Sequence, residues 1–127
     1  MKKLKIVFSV AVAMTMSFTA NAQRWGATPE DSMACVSNVS LDQEYYKQKD
    51  YLSCYDPWRE ILKYCPAQHK NVYLRGSNIL KAKIKVATTD EEREGYIDEL
   101  MNMYDLRIQY FGEEAKVKAI KAQDLNT

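Results

Sequence analysis

The side chains with the clearest capacity for chemistry are three cysteines, Cys35, Cys54 and Cys65, and a single histidine, His69. Cys65 and His69 stand four residues apart, a spacing that places two metal ligands on one helical face. Pro66 lies between them and interrupts any such helix. No set of Asp, Glu and His completes a four-ligand site, so no metal is expected. A nucleophilic centre needs Ser or Cys beside a base, and a third group to orient that base. His69 offers no such arrangement, and no glycine-rich phosphate cradle occurs. The acids Glu91, Glu92 and Glu94 fall at a helix start, where negative charge is favoured anyway. No catalytic residue and no cofactor are therefore expected, and the chain reads as a binding protein, not an enzyme.

Modification and charge offer weaker signals. Asp31-Ser32-Met33 matches an acidic, hydroxyl, apolar pattern at which some Gram-negative bacteria attach O-glycans to exported proteins, so Ser32 is a candidate acceptor. Asn38-Val39-Ser40 fits the N-glycan sequon, but it falls inside an expected helix and is discounted. Lys81 and Lys85 share a helix face. Solvation explains them simply, and an acidic partner is the sharper reading.

What the thiols do depends on compartment. Residues 1–22 carry Lys2, Lys3 and Lys5, then a mostly apolar run from Ile6 to Phe18, then Ala20-Asn21-Ala22. A basic front, a short apolar middle and an A-x-A end define a cleavable secretory signal. The run is too short to span a bilayer comfortably, which takes ~20 apolar residues. Removing it leaves 15 basic residues against 17 acidic ones, because three lysines go with it. That balance leaves no footprint for nucleic acid. The expected location is the periplasm or the outer membrane, where disulfides persist.

The elements that would position these residues are helical. Residues 23–33 read as a flexible leader, and 34–127 as one helical domain. A first helix starts near Ala34, with Leu41, Tyr45 and Gln48 on one side. A second runs from about Leu52 to Tyr64, where Cys54, Trp58, Ile61 and Cys65 recur at helical spacing. Pro57 requires that this helix be kinked or begin near Asp56. Asn71 suits the cap of a third helix, Val72 to Ala87, with the stripe Tyr73, Gly76, Leu80 and Ile84. Gly76 there allows a neighbour to approach closely. Thr88 and Thr89 each precede a Glu by three residues, the capping-box pattern. A fourth helix follows, Asp90 to Phe111, ended by Gly112. A fifth, Glu113 to Leu125, carries Val117, Ile120 and Leu125. No stretch alternates with period two, so the fold class is all-α, built from antiparallel helical hairpins.

Antiparallel packing of the first two helices sets Cys35 beside Cys65. Cys54 and Cys65, eleven residues apart on one helix, are separated by ~16 Å, beyond a disulfide's Cα reach of about 7 Å. A Cys35–Cys65 bridge with Cys54 free is the favoured pairing, and three reduced thiols are the alternative.

Residues 35 to 66 also fit a helix–turn–helix unit of about 34 residues closed by a proline. Leu41 and Tyr45 take its first inner face, with Tyr51 beginning the second helix. Cys54 takes the small slot where helices touch, Trp58 the large aromatic slot, Ile61 the next core position, and Pro66 the break. This segment resembles a tetratricopeptide repeat (TPR). Residues 35–112 resemble the opening of a family of exported TPR proteins from Gram-negative bacteria. Tyr45-Tyr46-Lys47-Gln48-Lys49-Asp50-Tyr51, Pro57-Trp58-Arg59-Glu60, Cys65-Pro66 and Tyr96-Ile97-Asp98-Glu99-Leu100-Met101 carry the likeness. It departs from the pattern at Asp42, where a small residue is usual, and in an overlong fourth helix. The resemblance implies a TPR-like α-solenoid fragment, the N-terminal portion of a longer array or a chain that completes its core with a partner. It further implies a scaffold whose concave surface holds a protein or peptide. By residue type, Tyr46, Tyr55, Tyr73 and Arg75 are the candidate contacts. An unrelated five-helix bundle that self-associates through its unpaired last helix is the alternative.

Overall fold

The structure, a computed structural model, describes residues 24–126. The expected signal peptide over 1–22 lies outside the described residues. Five α-helices follow one another: α1 (Pro29–Lys47), α2 (Tyr51–Tyr64), α3 (Lys70–Val86), α4 (Asp90–Phe111) and α5 (Glu114–Leu125), with no strand among the described residues. The all-helical hairpin class is as expected.

The helix ends follow from local chemistry. α1 begins at Pro29, inside the segment read as a flexible leader. Thr28 Oγ1 accepts the Asp31 N–H at 3.1 Å, and Pro29, Glu30 and Asp31 occupy the first turn. Proline loses nothing there, since its missing N–H has no helical partner, and acids suit the positive end. Arg24 Nε also donates to the Gln68 carbonyl at 3.2 Å, tying the segment down. α2 begins at Tyr51, not near Asp56, because the Asp50 side chain accepts the Ser53 N–H at 3.2 Å. Pro57 therefore lies inside α2, with its ring buried. α3 is capped by His69, whose Nδ1 accepts the Asn71 N–H at 3.0 Å, so Asn71 is not the cap. Of the two capping boxes, the one on Thr89 forms in half: Thr89 Oγ1 accepts the Glu92 N–H, while the Glu92 carboxylate accepts from the Thr88 N–H and hydroxyl instead of from the Thr89 N–H.

Each helix packs mainly on the one before and the one after. Side chains also link alternate helices. Arg75 of α3 meets Asp42 of α1, and Lys81 of α3 meets Asp124 of α5. Tyr55 of α2 meets Glu99 and Tyr96 of α4. The chain thus zigzags between two layers, with α1, α3 and α5 in one and α2 and α4 in the other.

The core lies between those layers. Trp58 is 1% exposed, and its indole Nε1–H donates to the Val72 carbonyl at 2.8 Å. Gly76 faces it: an added methyl would overlap the Trp58 ring and the Met103 sulfur. Ile61, Val72, Tyr73, Ile79, Leu80, Leu100, Tyr104 and Val117 are also buried. Burying a large apolar side chain contributes about 1.5–3 kcal/mol. Cys35 and Cys65 are bonded across α1 and the end of α2, with Cα atoms 5.9 Å apart, and Cys54 is free and buried. Tyr51 rests its ring 5.0 Å from that of Tyr46, and half-buried Pro66 separates α2 from α3.

Two expected core positions fail. Leu41 is 45% exposed and Leu125 is 60% exposed. The buried face of α1 is Cys35, Val39 and Asp42. The disulfide fixes Cys35 inward, and positions four and seven residues along then share its face. Leu41 is turned about 100° from Asp42 and meets solvent.

Two stability predictions follow from this core. Reducing the Cys35–Cys65 bond should lower the unfolding free energy by about 3 kcal/mol in denaturant melts; equal midpoints with and without reductant would contradict the bridge. Gly76→Ala should destabilise by about 1–3 kcal/mol despite alanine's better helix propensity, because the site is already filled. A stabilised variant would show that Trp58 does not pack there.

Candidate functional site

A groove of about 340 Å³ opens between α1 and α3, lined by Gln43, Tyr46, Lys47, Asn71, Leu74 and Arg75. Helical spacing explains its makeup. On α1, Gln43, Tyr46 and Lys47 stand at intervals of three and four and share one face, turned from inward-pointing Asp42 toward solvent. On α3, Asn71, Leu74 and Arg75 follow at intervals of three and four.

The groove rests on a buried ion pair. Arg75 Nε donates to Asp42 Oδ2 at 2.7 Å, with the Asp42 side chain wholly buried and that of Arg75 12% exposed. One oxygen of the acid, Oδ1, and one guanidinium nitrogen, Nη2, are buried without a partner among the described residues. Burial raises the Asp42 pKa from its ordinary value, and the charge of Arg75 opposes that rise. Cys54 lies beneath, its thiol donating to the backbone carbonyls of Asp42 and Asp50 at 3.5 and 3.3 Å. Burial, reinforced by Asp42, pushes this thiol from 9.0 up to about 12. A thiol so protonated is a poor nucleophile. Tyr46 is held by Asn78, whose Nδ2 donates to its hydroxyl at 2.7 Å.

Of the four side chains expected at a binding surface, Tyr46 and Arg75 meet in this groove. Tyr55 and Tyr73 do not. Tyr55 is 8% exposed and donates its hydroxyl to the Glu99 carboxylate at 2.8 Å, with its ring also facing Tyr96 and Lys83. Tyr73 is fully buried and donates to the Pro66 carbonyl at 2.6 Å. Both are internal because their hydroxyls find partners inside. Residue type alone missed Gln43, Lys47, Asn71 and Leu74. The signal for them was Asp42: an acid on the buried face of a helix needs a cation, and the groove surrounds the one that meets it, Arg75.

The other singled-out residues are accounted for locally. Cys65 is in the disulfide and His69 caps α3, so the pair spaced for a metal is otherwise engaged. Ser32 stands in the first turn of α1, half-buried, not in a loose segment. Lys81 pairs with Asp124, while Lys83 lies over the rings of Tyr55 and Tyr96. Among the described residues no helix is long and apolar enough to cross a membrane. No family model, curated protein or solved structure matches the chain.

Removing one member of a buried pair strands the other, at about 3–5 kcal/mol. Arg75→Met should therefore lower stability by that amount in urea melts, and a change below about 1 kcal/mol would show that the pair is solvated. A pH prediction comes from Cys54 and Tyr104. The latter is raised from 10.0 to about 12, first by burial and then by its bond to Asp124. The folded chain keeps both protons where the unfolded chain releases them, so their stabilising effect is whole below about pH 9 and disappears as pH rises toward 12. Urea midpoints should fall steadily between about pH 9 and about pH 11. Midpoints that hold constant over that range would contradict the assignment.

Proposed function

We propose that this chain is a non-catalytic, TPR-like helical scaffold of the bacterial cell envelope, and that it holds a protein or peptide segment in the groove between α1 and α3. One observation carries the reading. The groove combines an exposed leucine, Leu74 at 45%, and the ring of Tyr46 with amides and cations at its edge. Apolar anchors inside a polar rim are the ordinary makeup of a recognition surface. The two-layer zigzag supports the repeat-like part of the proposal, since stacked hairpins present one layer as a continuous face. The pattern at residues 1–22 supports the envelope location. The inert thiol and the engaged histidine support a role without turnover.

A second reading rests on its own observation. α5 packs mainly against α4, buries only Val117, and leaves Ala115, Ala119, Ala122 and Leu125 exposed. That face would suit a second copy of the chain, and light scattering across concentration separates the readings: a monomer at every concentration removes self-association.

The binding proposal is tested by selecting displayed random peptides on the immobilised protein. Enriched peptides should lose at least about tenfold in affinity on Leu74→Asp, the loss of one buried anchor being worth ~1.4 kcal/mol or more. Failure to enrich any peptide, or equal binding by the variant, would remove the groove from the function.

A further inference from the structure

The lining of the α1–α3 groove has a charge sign. It contains two cations, Lys47 and Arg75, two side-chain amides, Gln43 and Asn71, and no carboxylate. α3 itself carries Lys70, Arg75, Lys81, Lys83 and Lys85 without a single acid. Three of these are engaged elsewhere: Lys70 with Glu113, Lys81 with Asp124, and Lys83 over two tyrosine rings. Lys47 makes no ion pair among the described residues, and its side chain is exposed. The acids nearest in sequence, Glu44 and Asp50, do not line the groove. Glu44 stands three residues before Lys47 on α1, outside the lining, and accepts from Gln48 at 3.2 Å. Asp50 is committed to capping α2.

Asp42 shapes what remains. Its carboxylate lies behind the groove and is fully buried, so it answers Arg75 from the protein side and offers nothing to a ligand. A carboxylate arriving from solvent would meet the Lys47 ammonium and the amide N–H groups of Gln43 and Asn71, with the largely buried Arg75 behind them and no carboxylate in the lining. Leu74 and the Tyr46 ring lie beside these donors and would cover an apolar neighbour. At about 340 Å³ the space is near the lower end for ligand sites, and it suits two or three side chains of an extended segment.

Resting on the groove reading above, we propose that the partner segment is acidic: an extended peptide stretch with Asp or Glu two residues from aliphatic side chains, so that both face the groove, recognised through its side-chain carboxylates. Charge-assisted hydrogen bonds are about twice as strong as neutral ones, so the acid gives selectivity and the aliphatic residues give area. Attraction of this kind to an exposed lysine weakens with salt.

Fluorescence anisotropy on the full chain tests this with two labelled peptides, each with a blocked N-terminus and an amidated C-terminus so that side chains supply every charge. One is Gly-Leu-Ser-Glu-Ser-Leu-Gly, and its twin is Gly-Leu-Ser-Gln-Ser-Leu-Gly. The acidic peptide should bind about tenfold more tightly than the twin at low salt. The advantage should shrink between about 50 mM and about 500 mM NaCl. Lys47→Gln, an exposed change checked by circular dichroism, should erase several-fold of that advantage by weakening the acidic peptide more than the twin. Leu74→Asp should weaken both. Equal affinities, a tighter twin, or an advantage unchanged by Lys47→Gln would overturn the acidic partner while leaving the groove in place. Loss of neither peptide on Leu74→Asp, or no binding of either, would overturn the groove reading and the acidic partner with it.

Discussion

Asp42 is the residue around which the layer of α1 and α3 is arranged. A wholly buried carboxylate is unfavourable unless a cation meets it, and here that cation comes from α3, at Arg75. The pair therefore does more than join two side chains. It fixes how far α1 is rotated about its axis and holds α3 at a set height beside it. The disulfide acts on the same helix from the other end, through Cys35. Between them these two contacts choose the buried face of α1, which is otherwise too polar to choose its own: only Cys35, Val39 and Asp42 are buried along it. Leu41 and Val36 are left in solvent as a consequence.

The second layer is organised by bulk. Trp58 fills the space between α2, α3 and α4, and it reaches that position because Gly76 has no side chain to oppose it. Its indole N–H is satisfied by a helical carbonyl, so a large, partly polar ring is buried without an unmet donor. Tyr73, Tyr55 and Tyr104 follow the same rule, each with a hydroxyl partner inside the fold. The abundance of tyrosine is thus mostly a core property. That is why residue type misleads at Tyr55 and Tyr73, which lie inside the fold, whereas Tyr46 lines the groove.

How much was legible in the sequence differs by feature. The helices were readable because their apolar residues recur at helical spacing and their ends carry Thr89, Pro66 and Gly112. The disulfide was readable because helix rise excludes Cys54–Cys65 and hairpin packing favours Cys35–Cys65. The start of α1 was not, because Thr28-Pro29-Glu30-Asp31 looks like a turn until its capping geometry is seen. The run of α2 through Pro57 was not either: a proline argues for a boundary, yet the Asp50 cap and the packing of Trp58 hold the helix together across it. The groove lay hidden for a related reason. It is formed by residues on two helices about thirty positions apart, and only the pairing of Asp42 with Arg75 brings them together.

The face between α1 and α3 is proposed as the working surface. Amide chemical-shift mapping tests it directly. Adding the acidic peptide to isotope-labelled protein should move the resonances of residues 43–47 and 71–78 and leave those of α5 and the outer side of α1 in place. Shifts confined to Met33, Val36, Leu41 or to residues 115–125, with the groove unperturbed, would place the binding surface elsewhere and contradict the account.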